Sequence, residues 1–410
     1  MASSRRAGIK GVAMPRVLIF SLAYFPRFVG GAEVAIQEIT DRLSKEGFEF
    51  HLITPRYDST LPRQERIRGV MVHRIGFALP NPTLAELRRF PLYWNKILFQ
   101  GLAVWKAWRL HRAQRFDAVW AMMAQSTGVA GGLLKTLVPS LRYVLTLQEG
   151  DTPEYIERLM RPFGPLFRRA FTKADVVQSI STFLQDWAKR MGARGRLVLV
   201  PNAVDYQRFA RVDQTECTQL QERLGKRSGE RWLITTSRLV PKNAVDVSIR
   251  ALSHLPPDVH LLVVGIGPEE RAMRRLTADL GLDQRVHFTG EVSQEHIPLY
   301  LHACDVFVRP SRSEGLGISF LEAMAAGLPV IATQEGGIRD FLFDAEKNPE
   351  HPATGWAVDV DSPEQIAAAV ERIARTSTVT NEVTQRAAAM VRDQYEWETI
   401  AQRMRSEVFL

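Results

Sequence analysis

The stretch SEGLGISFLEAMAAG, residues 313–327, carries two glutamates with seven residues between them, Glu314 and Glu322. It follows an apolar run at residues 305–308 that has the pattern of a buried strand, and its second half is typical of a helix. Glycines in the connecting loop let a ligand approach the backbone, and the first turn of a helix offers free N–H groups to an anion. Carboxylates accept hydrogen bonds from sugar hydroxyls. The stretch therefore predicts a site for a ligand that is both phosphorylated and polyhydroxylated.

Strand patterns recur along the chain in two series. Runs rich in Val, Ile and Leu alternate with helical patterns, which is typical of parallel sheets covered by helices on both faces. We therefore predict an α/β fold with two doubly wound units and a ligand site in the cleft between them, beyond the carboxyl ends of the strands. The predicted strands lie at residues 16–21, 48–54, 70–75, 117–121, 142–147, 175–179 and 197–200, and then at 232–237, 260–265, 286–289, 305–309, 330–333 and 356–358.

The length and composition of the chain fit this organisation. Its 410 residues suffice for two domains of ordinary size, and 45% hydrophobic with 24% charged residues is typical of a globular protein. The two cysteines, Cys217 and Cys304, are far apart in sequence and belong to no metal-binding pattern, so we expect both to be structural in a reduced, cytoplasmic protein. No run approaches the roughly 18 apolar residues of a membrane-spanning helix.

Positive charge is concentrated in the first half of the chain. The net charge is +8, and residues 1–200 contain 30 Lys and Arg against 15 Asp and Glu. Basic helices with aromatic residues suit an anionic membrane surface; alternatively, they are solvated helices whose aromatic residues pack in the core. We expect a membrane surface as a partner, and no nucleic acid, because no nucleic-acid-binding module is recognisable. The basic clusters lie at residues 158–173 and at 87–116, where they are interleaved with Tyr93, Trp94, Phe99, Trp105 and Trp108.

Three further segments have the residue types of a diphosphate site. Arg238 and Lys242 follow the first strand of the second series, where two cations can neutralise a diphosphate, although a solvated basic turn has the same pattern. Gly265 and Gly267 follow the next strand and allow a tight turn near a nucleotide, but without a third glycine they are a weak dinucleotide signal. Gly30-Gly31 opens a helix after the first strand of the chain and suits phosphate, close approach of the other domain, or a simple turn.

In this order, the segments resemble those of a family 4 glycosyltransferase with the GT-B fold. The resemblance covers nearly the whole chain and implies two Rossmann-like domains facing each other across a cleft, with a C-terminal helix that crosses back to the N-terminal domain. Residues 1–204 would be the acceptor-binding domain, 205–230 a linker, 231–388 the nucleotide-sugar-binding domain and 389–410 the returning helix. The segments that carry the resemblance are GGAE at 30–33, PNAVD at 201–205, SRL at 237–239 with Lys242, residues 314–330, and YEW at 395–397 with Ile400 and Ala401.

The resemblance implies retaining transfer of a sugar from a UDP- or GDP-sugar to a lipid-linked or polysaccharide acceptor. No metal or other cofactor would be needed if two cations and a helix terminus supply the positive charge. Arg238 and Lys242 would hold the diphosphate, Glu322 would accept the ribose hydroxyls, and Glu314 would face the donor sugar. Backbone N–H groups near Leu316 and Gly317 would contact the phosphate, and Gly30 and Gly31 would border the diphosphate from the N-terminal side. Gly265 and Gly267, from the glycine pattern itself, are also predicted to contact the donor.

Gln148 departs from the family pattern. The family often has His followed by Asp at this point, whereas the segment here is TLQEGD, residues 146–151. Glutamine can hydrogen bond to a sugar hydroxyl, but it cannot carry a proton at neutral pH. We expect Gln148 to be a catalytic-site residue of a glycosyltransferase in the cytoplasm or on the inner face of the cell membrane. Two alternatives stay open: a nucleotide-sugar epimerase on the same fold, or a catalytically weak nucleotide-sugar-binding subunit.

Overall fold

Strands and helices alternate along the chain and build two separate sheets. The structure is a computed structural model and describes residues 15–27, 29–83 and 86–410. The strands of the first sheet are β1 (Arg16–Phe20), β2 (Glu49–Pro55), β3 (Gln64–Ile67), β4 (Val70–Ile75), β5 (Ala118–Met122), β6 (Arg142–Leu147), β7 (Val176–Ser179) and β8 (Arg196–Leu199). Those of the second sheet are β9 (Arg231–Thr236), β10 (Val259–Val264), β11 (Val286–Gly290), β12 (Val306–Arg309), β13 (Val330–Ala332) and β14 (Trp356–Ala357).

Helices connect these strands and cover both faces of the sheets. In the first domain they are α1 (Gly31–Lys45), α2 (Tyr93–Gln114), α3 (Val129–Leu137), α4 (Pro153–Met160), α5 (Gly164–Thr172) and α6 (Thr182–Arg190). In the remainder of the chain they are α7 (Tyr206–Ala210), α8 (Gln214–Leu224), α9 (Val245–Ala251), α10 (Glu270–Asp279), α11 (Ile297–His302), α12 (Ile318–Ala325), α13 (Pro363–Arg375), α14 (Ser377–Gln394) and α15 (Trp397–Arg403). In the described part of the chain, no helix has the length and apolar character needed to cross a membrane.

The first sheet has eight strands in the order β3-β4-β2-β1-β5-β6-β7-β8. All neighbours are parallel except β3, which runs antiparallel to β4 at the edge. Seven of these strands agree with the predicted runs to within one residue at each end. The sequence Gln-Glu-Arg-Ile of β3 was not predicted because it has no apolar run, and its side chains are exposed or half-buried.

The second sheet has six parallel strands in the order β11-β10-β9-β12-β13-β14. In both sheets the strand order reverses beside the first strand, between β1 and β5 and between β9 and β12. At such a point the crossover connections leave toward opposite faces, so the loops at the carboxyl edge open into a crevice. The predicted site residues follow β1, β6, β9, β10 and β12.

Residues 205–230, which the sequence predicts as a polar linker, contain two helices, α7 and α8. Helix α8 starts at a capping aspartate, Asp213, and ends at Gly225 in the left-handed conformation. It buries Cys217 and Leu220 in a small cluster with Ala303 of the C-terminal domain. The segment is therefore packed on the second domain, while the exact domain limits stay predictions.

The end of the chain returns to the first domain, which confirms the predicted α/β architecture with a crossing-back helix. Helix α15 packs against α1, and Trp397, Ile400 and Phe409 are buried in the core beneath it. The ring of Phe409 lies edge-on to Trp120 of β5, with 5.2 Å between the ring centroids. Burial of these side chains ties the C-terminus to the N-terminal domain.

Candidate active site

The loop between β12 and α12 is held by close backbone contacts. Gly317 has φ +89 and precedes the first residue of α12, so a side chain there would be strained. A Cβ at Gly315 would clash with the carbonyl oxygen of Glu149 in the first domain. The glycines therefore let the loop touch the other domain and turn sharply into α12, whose first turn leaves N–H groups without intrahelical partners. The side chain of Leu316 is buried, so only its backbone can face a ligand.

Glu314 is buried in an ion pair with Arg309, the last residue of β12. The Arg309 guanidinium also donates to Ser311 Oγ at 3.1 Å, to Asn243 Oδ1 at 3.2 Å and to Ser319 Oγ at 2.5 Å. Burial lowers the pKa of Arg309 to about 10, so it remains a cation at neutral pH. Arg309 thus fixes the Glu314 loop to the start of α12. The motifs in the sequence did not predict this role of Arg309, although a charged residue at the end of an apolar strand is a usable signal.

Glu322 lies on α12, a little over one turn from its start, and is partly exposed. Its carboxylate has no hydrogen-bond partner within the residues that the structure describes. Burial raises its pKa to about 7, against the opposing effect of the positive charges of Arg208 and Arg309. An unpaired carboxylate of this kind is suited to accept hydrogen bonds from a ligand.

Arg238 and Lys242 lie in the loop after β9, close enough for their charges to interact. Arg238 is exposed, and its guanidinium is free of ion pairs within the described parts of the chain. Lys242 is partly buried and reaches across the cleft, where Nζ donates to the carbonyl oxygen of Gly150 at 2.6 Å. Burial lowers the pKa of Lys242; Asp151, whose Oδ1 lies 4.0 Å away, opposes this effect. Lys242 therefore lies at the domain boundary, with Arg238 near it.

Gly30 and Gly31 lie on the facing wall at the start of α1. Both are exposed, and a Cβ on Gly31 would lie 3.6 Å from Cδ1 of Ile318, the first residue of α12. The N–H of Gly30 donates to Glu33 Oε2 at 2.8 Å, which stabilises the start of the helix. The glycine turn of the first domain therefore lies directly opposite the Glu314 loop.

Gln148 and Glu149 follow β6 on the same wall. The side-chain oxygen of Gln148 accepts a hydrogen bond from Asn202 Nδ2 at 3.0 Å. Glu149 is fully buried: Oε1 accepts from the N–H of Ala124 at 2.5 Å, whereas Oε2 has no hydrogen-bond partner in the part of the chain described. Burial raises the pKa of Glu149 to about 7. Glu149 could not be predicted from the sequence, because a lone glutamate in a loop has no distinguishing pattern.

Gly265 and Gly267 have a packing function. A Cβ on Gly265 would clash with the carbonyl oxygen of Ser237, and one on Gly267 with that of Leu239. The N–H of Leu239 donates to the carbonyl oxygen of Ile266 at 3.0 Å, so the two loops pair directly. The glycines therefore position the loop that carries Arg238, and their contact with a donor stays a prediction.

The structure thus brings together the Glu314 loop, Lys242, Gly31 and the segment that contains Gln148 at one boundary between the domains. Arg238 lies beside Lys242. In the described ranges, no group of three or more His, Cys, Asp or Glu residues could hold a metal ion.

The basic aromatic helix α2 presents most of its aromatic residues to solvent. Of the five aromatic residues interleaved with the basic cluster, Tyr93, Trp94, Phe99, Trp105 and Trp108, only Phe99 is buried. The guanidinium groups of Arg109 and Arg112 lie 4.9 Å from the ring centroids of Trp105 and Trp108. We call the exposed apolar residues of this region the α2 surface: Phe90, Tyr93, Trp94, Ile97, Leu98, Leu102, Trp105 and Trp108.

Comparison with sequence families covers both domains. Residues 30–203 match the family described as "Glycosyl transferase 4-like domain", and residues 218–390 match "Glycosyl transferases group 1". The chain belongs to the family 4 glycosyltransferases. This confirms the resemblance that the sequence motifs indicate.

Individual relatives agree with this family assignment. The chain is 36% identical over 215 residues to the GDP-mannose-dependent alpha-(1-6)-phosphatidylinositol monomannoside mannosyltransferase of Mycolicibacterium smegmatis, covering 50% of this chain and 54% of the relative. The chain therefore spans about half the length of that relative. It is 24% identical over 354 residues to the alpha-monoglucosyldiacylglycerol synthase of Streptococcus pneumoniae, covering 83% and 77% of the two chains.

A solved structure shows the same fold. The sucrose-phosphate synthase of Thermosynechococcus elongatus superimposes with a TM-score of 0.78 at 20% identity, over 96% of this chain and 98% of the other. The family 4 glycosyltransferase described here therefore has the GT-B fold.

Proposed function

We propose that the protein transfers a sugar from a nucleoside diphosphate sugar, with retention of configuration, to a lipid-linked or saccharide acceptor. One observation carries the proposal: the unpaired Glu322 carboxylate, the first turn of α12 and the cations Arg238 and Lys242 lie on one wall of a cleft, with Gly31 opposite. The carboxylate can accept hydrogen bonds from the sugar hydroxyls of such a donor. The cations and the free N–H groups beside it can bind the diphosphate.

GDP-mannose is the donor to test first. Relatives that are 32–36% identical to this chain over about half its length are named as GDP-mannose-dependent mannosyltransferases. UDP-glucose is the second, because a solved structure with the same fold contains UDP-glucose. In both cases Glu322 would accept the ribose hydroxyls, and the diphosphate would lie between the start of α12 and the two cations.

In the proposed reaction, an acceptor hydroxyl attacks the anomeric carbon as the bond from that carbon to the phosphate oxygen breaks. The bonding electrons leave with the nucleoside diphosphate, and the hydroxyl proton passes to its departing oxygen. Arg238 and Lys242 stabilise the negative charge that develops there. Glu314 is engaged by Arg309, which favours an electrostatic contact with the donor sugar over a nucleophilic attack by its carboxylate. Gln148 would orient a sugar hydroxyl without carrying a proton.

We propose further that the two cations and the helix terminus make a metal ion unnecessary. Transfer should then proceed at an unchanged rate in excess EDTA. Loss of activity in EDTA that added Mg²⁺ or Mn²⁺ restores would contradict this part of the proposal.

The proposed acceptor is presented at a membrane surface. The α2 surface is apolar and aromatic, with basic residues beside it, and two of the relatives are named for a lipid acceptor or a lipid product. A second exposed group on the α4–α5 hairpin, Tyr155, Leu159 and Phe163, is accompanied by Arg158 and Arg161. Peripheral binding to an anionic leaflet would use both the α2 surface and this exposed group on the α4–α5 hairpin.

The deciding experiment is a transfer assay with lipid extracts and each donor, analysed by mass spectrometry. Glu322→Ala should abolish donor binding, and Glu382→Ala, which removes an exposed carboxylate on α14, should not. Equal activity of the two variants would refute the site. Conversion of the donor to an isomeric nucleotide sugar in the absence of acceptor would instead support an epimerase. Donor binding without any turnover would support a binding subunit.

A further inference from the structure

The short loop after β6 is one of the places where the first domain meets the second. The carbonyl oxygen of Glu149 lies against Gly315 and leaves no room for a Cβ there. The carbonyl oxygen of Gly150, the next residue, accepts the hydrogen bond from Lys242 Nζ at 2.6 Å. Gln148, which is partly exposed in the same loop, would orient a sugar hydroxyl in the proposed reaction. The position of this loop therefore sets how the two walls of the cleft meet.

The side chain of Glu149 is buried inside the first domain and ties this loop to its neighbour. Oε1 accepts a hydrogen bond from the N–H of Ala124 at 2.5 Å, and the residue is fully buried. Ala124 follows β5, which pairs with β6 in parallel, so both loops leave the carboxyl edge of the sheet side by side. The carboxylate therefore fixes the loop after β6 to the loop after β5.

The loop after β5 has a strained backbone. Met123 has φ +68, a value that a residue with a side chain rarely adopts, and the residues that follow it, Ala124–Gly128, form a π-helical turn. Strained backbone of this kind persists only where surrounding contacts hold it, and it is concentrated at functional sites. Here the contacts are the bond from Ala124 to Glu149 and the bond from the N–H of Met123 to the carbonyl oxygen of Thr146 at 2.8 Å. Glu149 therefore holds a turn whose shape the local sequence does not favour.

Holding the turn leaves one oxygen of the carboxylate unsatisfied. Oε2 of Glu149 is buried and accepts no hydrogen bond from any residue in the described ranges. A buried acceptor without a donor lowers stability, and a buried carboxylate lowers it further unless it is paired. Stability alone therefore does not account for a glutamate at this position, whereas a requirement for a fixed position of the loop does.

We propose that Glu149 is a positioning residue for the transfer reaction. By fixing the loop after β6, it holds Gln148 and the Gly150 carbonyl oxygen at the place where they meet the opposite wall. Glu149 itself contacts no substrate, because its side chain is buried. This role rests on the proposed function and adds to it a residue that acts through others. Transfer should depend on Glu149 more than donor binding does, since Glu322 and Arg238 lie on the other wall.

Steady-state kinetics and donor calorimetry on the whole chain test this role. Glu149→Ala removes the bond to Ala124 and should lower kcat about 10- to 100-fold, the effect expected when a catalytic site is displaced by about 1 Å. The dissociation constant of the donor should stay the same. Glu149→Gln keeps an oxygen that can accept from Ala124 and should retain most of the parent kcat. Glu149→Asp keeps the charge but is too short to keep the bond, so its kcat should fall as in Glu149→Ala.

Asp344→Ala is the matched control. Asp344 is also a buried carboxylate that accepts from backbone N–H groups, those of Glu346 at 2.8 Å and Ala357 at 3.0 Å, but it belongs to the second domain and bonds to no residue of the cleft. Its loss should lower the melting temperature and leave kcat of the folded protein unchanged. If Glu149→Ala does not fold, the comparison of Glu149→Asp with Glu149→Gln decides. The proposal is wrong if Asp344→Ala lowers kcat as much as Glu149→Ala does, or if Glu149→Asp and Glu149→Gln have equal kcat.

Hydrogen exchange measured by mass spectrometry tests the same contact without turnover. Glu149→Ala should raise exchange in peptides that cover residues 123–128 and 146–151, and in the facing peptide with residues 313–317. Asp344→Ala should change none of these. A parent protein that transfers no sugar would contradict the proposed function, but the exchange data would still show whether Glu149 holds the loop. Unchanged exchange at residues 313–317 in Glu149→Ala would overturn the role proposed for it.

Discussion

The two walls of the interdomain cleft are organised in different ways. The C-terminal wall holds charged side chains in fixed positions, with Arg309 joining Glu314, Ser319 and Asn243. The N-terminal wall presents mainly backbone, in the form of Gly30-Gly31 and the carbonyl oxygen of Gly150. A fixed network of charges stabilises a donor without reorganisation, whereas a backbone wall tolerates variation in what lies against it. We therefore expect substitutions on the C-terminal wall to have the larger effects.

The largest effect should follow from Arg309→Met. Glu314 would remain buried without its cation, and breaking a buried pair from one side costs about 3–5 kcal/mol of unfolding free energy. Urea denaturation followed by tryptophan fluorescence measures the loss. The double variant Arg309→Met, Glu314→Gln removes the uncompensated charge and should recover part of the stability. A single variant as stable as the parent would show that the pair does not organise this wall.

The next largest effect should be on turnover, from Arg238→Ala. Loss of a group that stabilises transition-state charge lowers kcat by roughly 10²- to 10³-fold. Because Arg238 is exposed and its guanidinium has no described ion pair, the melting temperature should not change. Arg271→Ala removes an exposed arginine of α10 and serves as the control. Equal rates for the two variants would place the leaving group elsewhere.

The same contrast explains what the sequence could predict. Strands such as β1 and β12 are buried on both faces, so their apolar runs are conspicuous, whereas the polar edge strand β3 has no such signal. Four of the predicted site residues follow predicted strands: Glu314, Glu322, Arg238 and Lys242. Because ligands bind at the carboxyl edge of such a sheet, these residues are expected to lie near one another.

Long-range partners could not be predicted in the same way. The pairing of Arg309 with Glu314 depends on how a loop folds back over its own strand, and the bond from Lys242 to Gly150 depends on the packing of two domains. Gly265 and Gly267 show the same limit: the sequence pattern predicted a donor contact, which stays a prediction, but could not reveal their backbone contacts with Ser237 and Leu239.

A smaller effect is expected on the pH dependence of donor binding. The pKa of Glu322 is raised to about 7 in the free protein, and accepting hydroxyl bonds favours its ionised form, so the bound pKa should be lower. Affinity for the nucleotide sugar should therefore fall as the pH decreases below about 7, by at most about tenfold per pH unit. Calorimetry between about pH 5.5 and 8 measures this slope. The Glu322→Gln variant should bind the nucleotide sugar weakly, and its affinity should depend less on pH. If the pH dependence of its affinity equals that of the parent, the titrating group is another one, such as Glu149.

The smallest effect concerns the N-terminal half, through the α2 surface. Trp94 and Ile97 are both exposed on this surface. Replacing both with Ala should reduce binding to anionic vesicles about three- to tenfold, because part of the apolar area that would leave water is lost. Leu137→Ala removes an exposed apolar side chain at the end of α3 and should not change vesicle binding. Donor affinity should be equal in all three proteins, since these side chains lie outside the cleft. Unchanged sedimentation of the double variant with vesicles would exclude this surface as the membrane contact and leave the α4–α5 hairpin as the next to test.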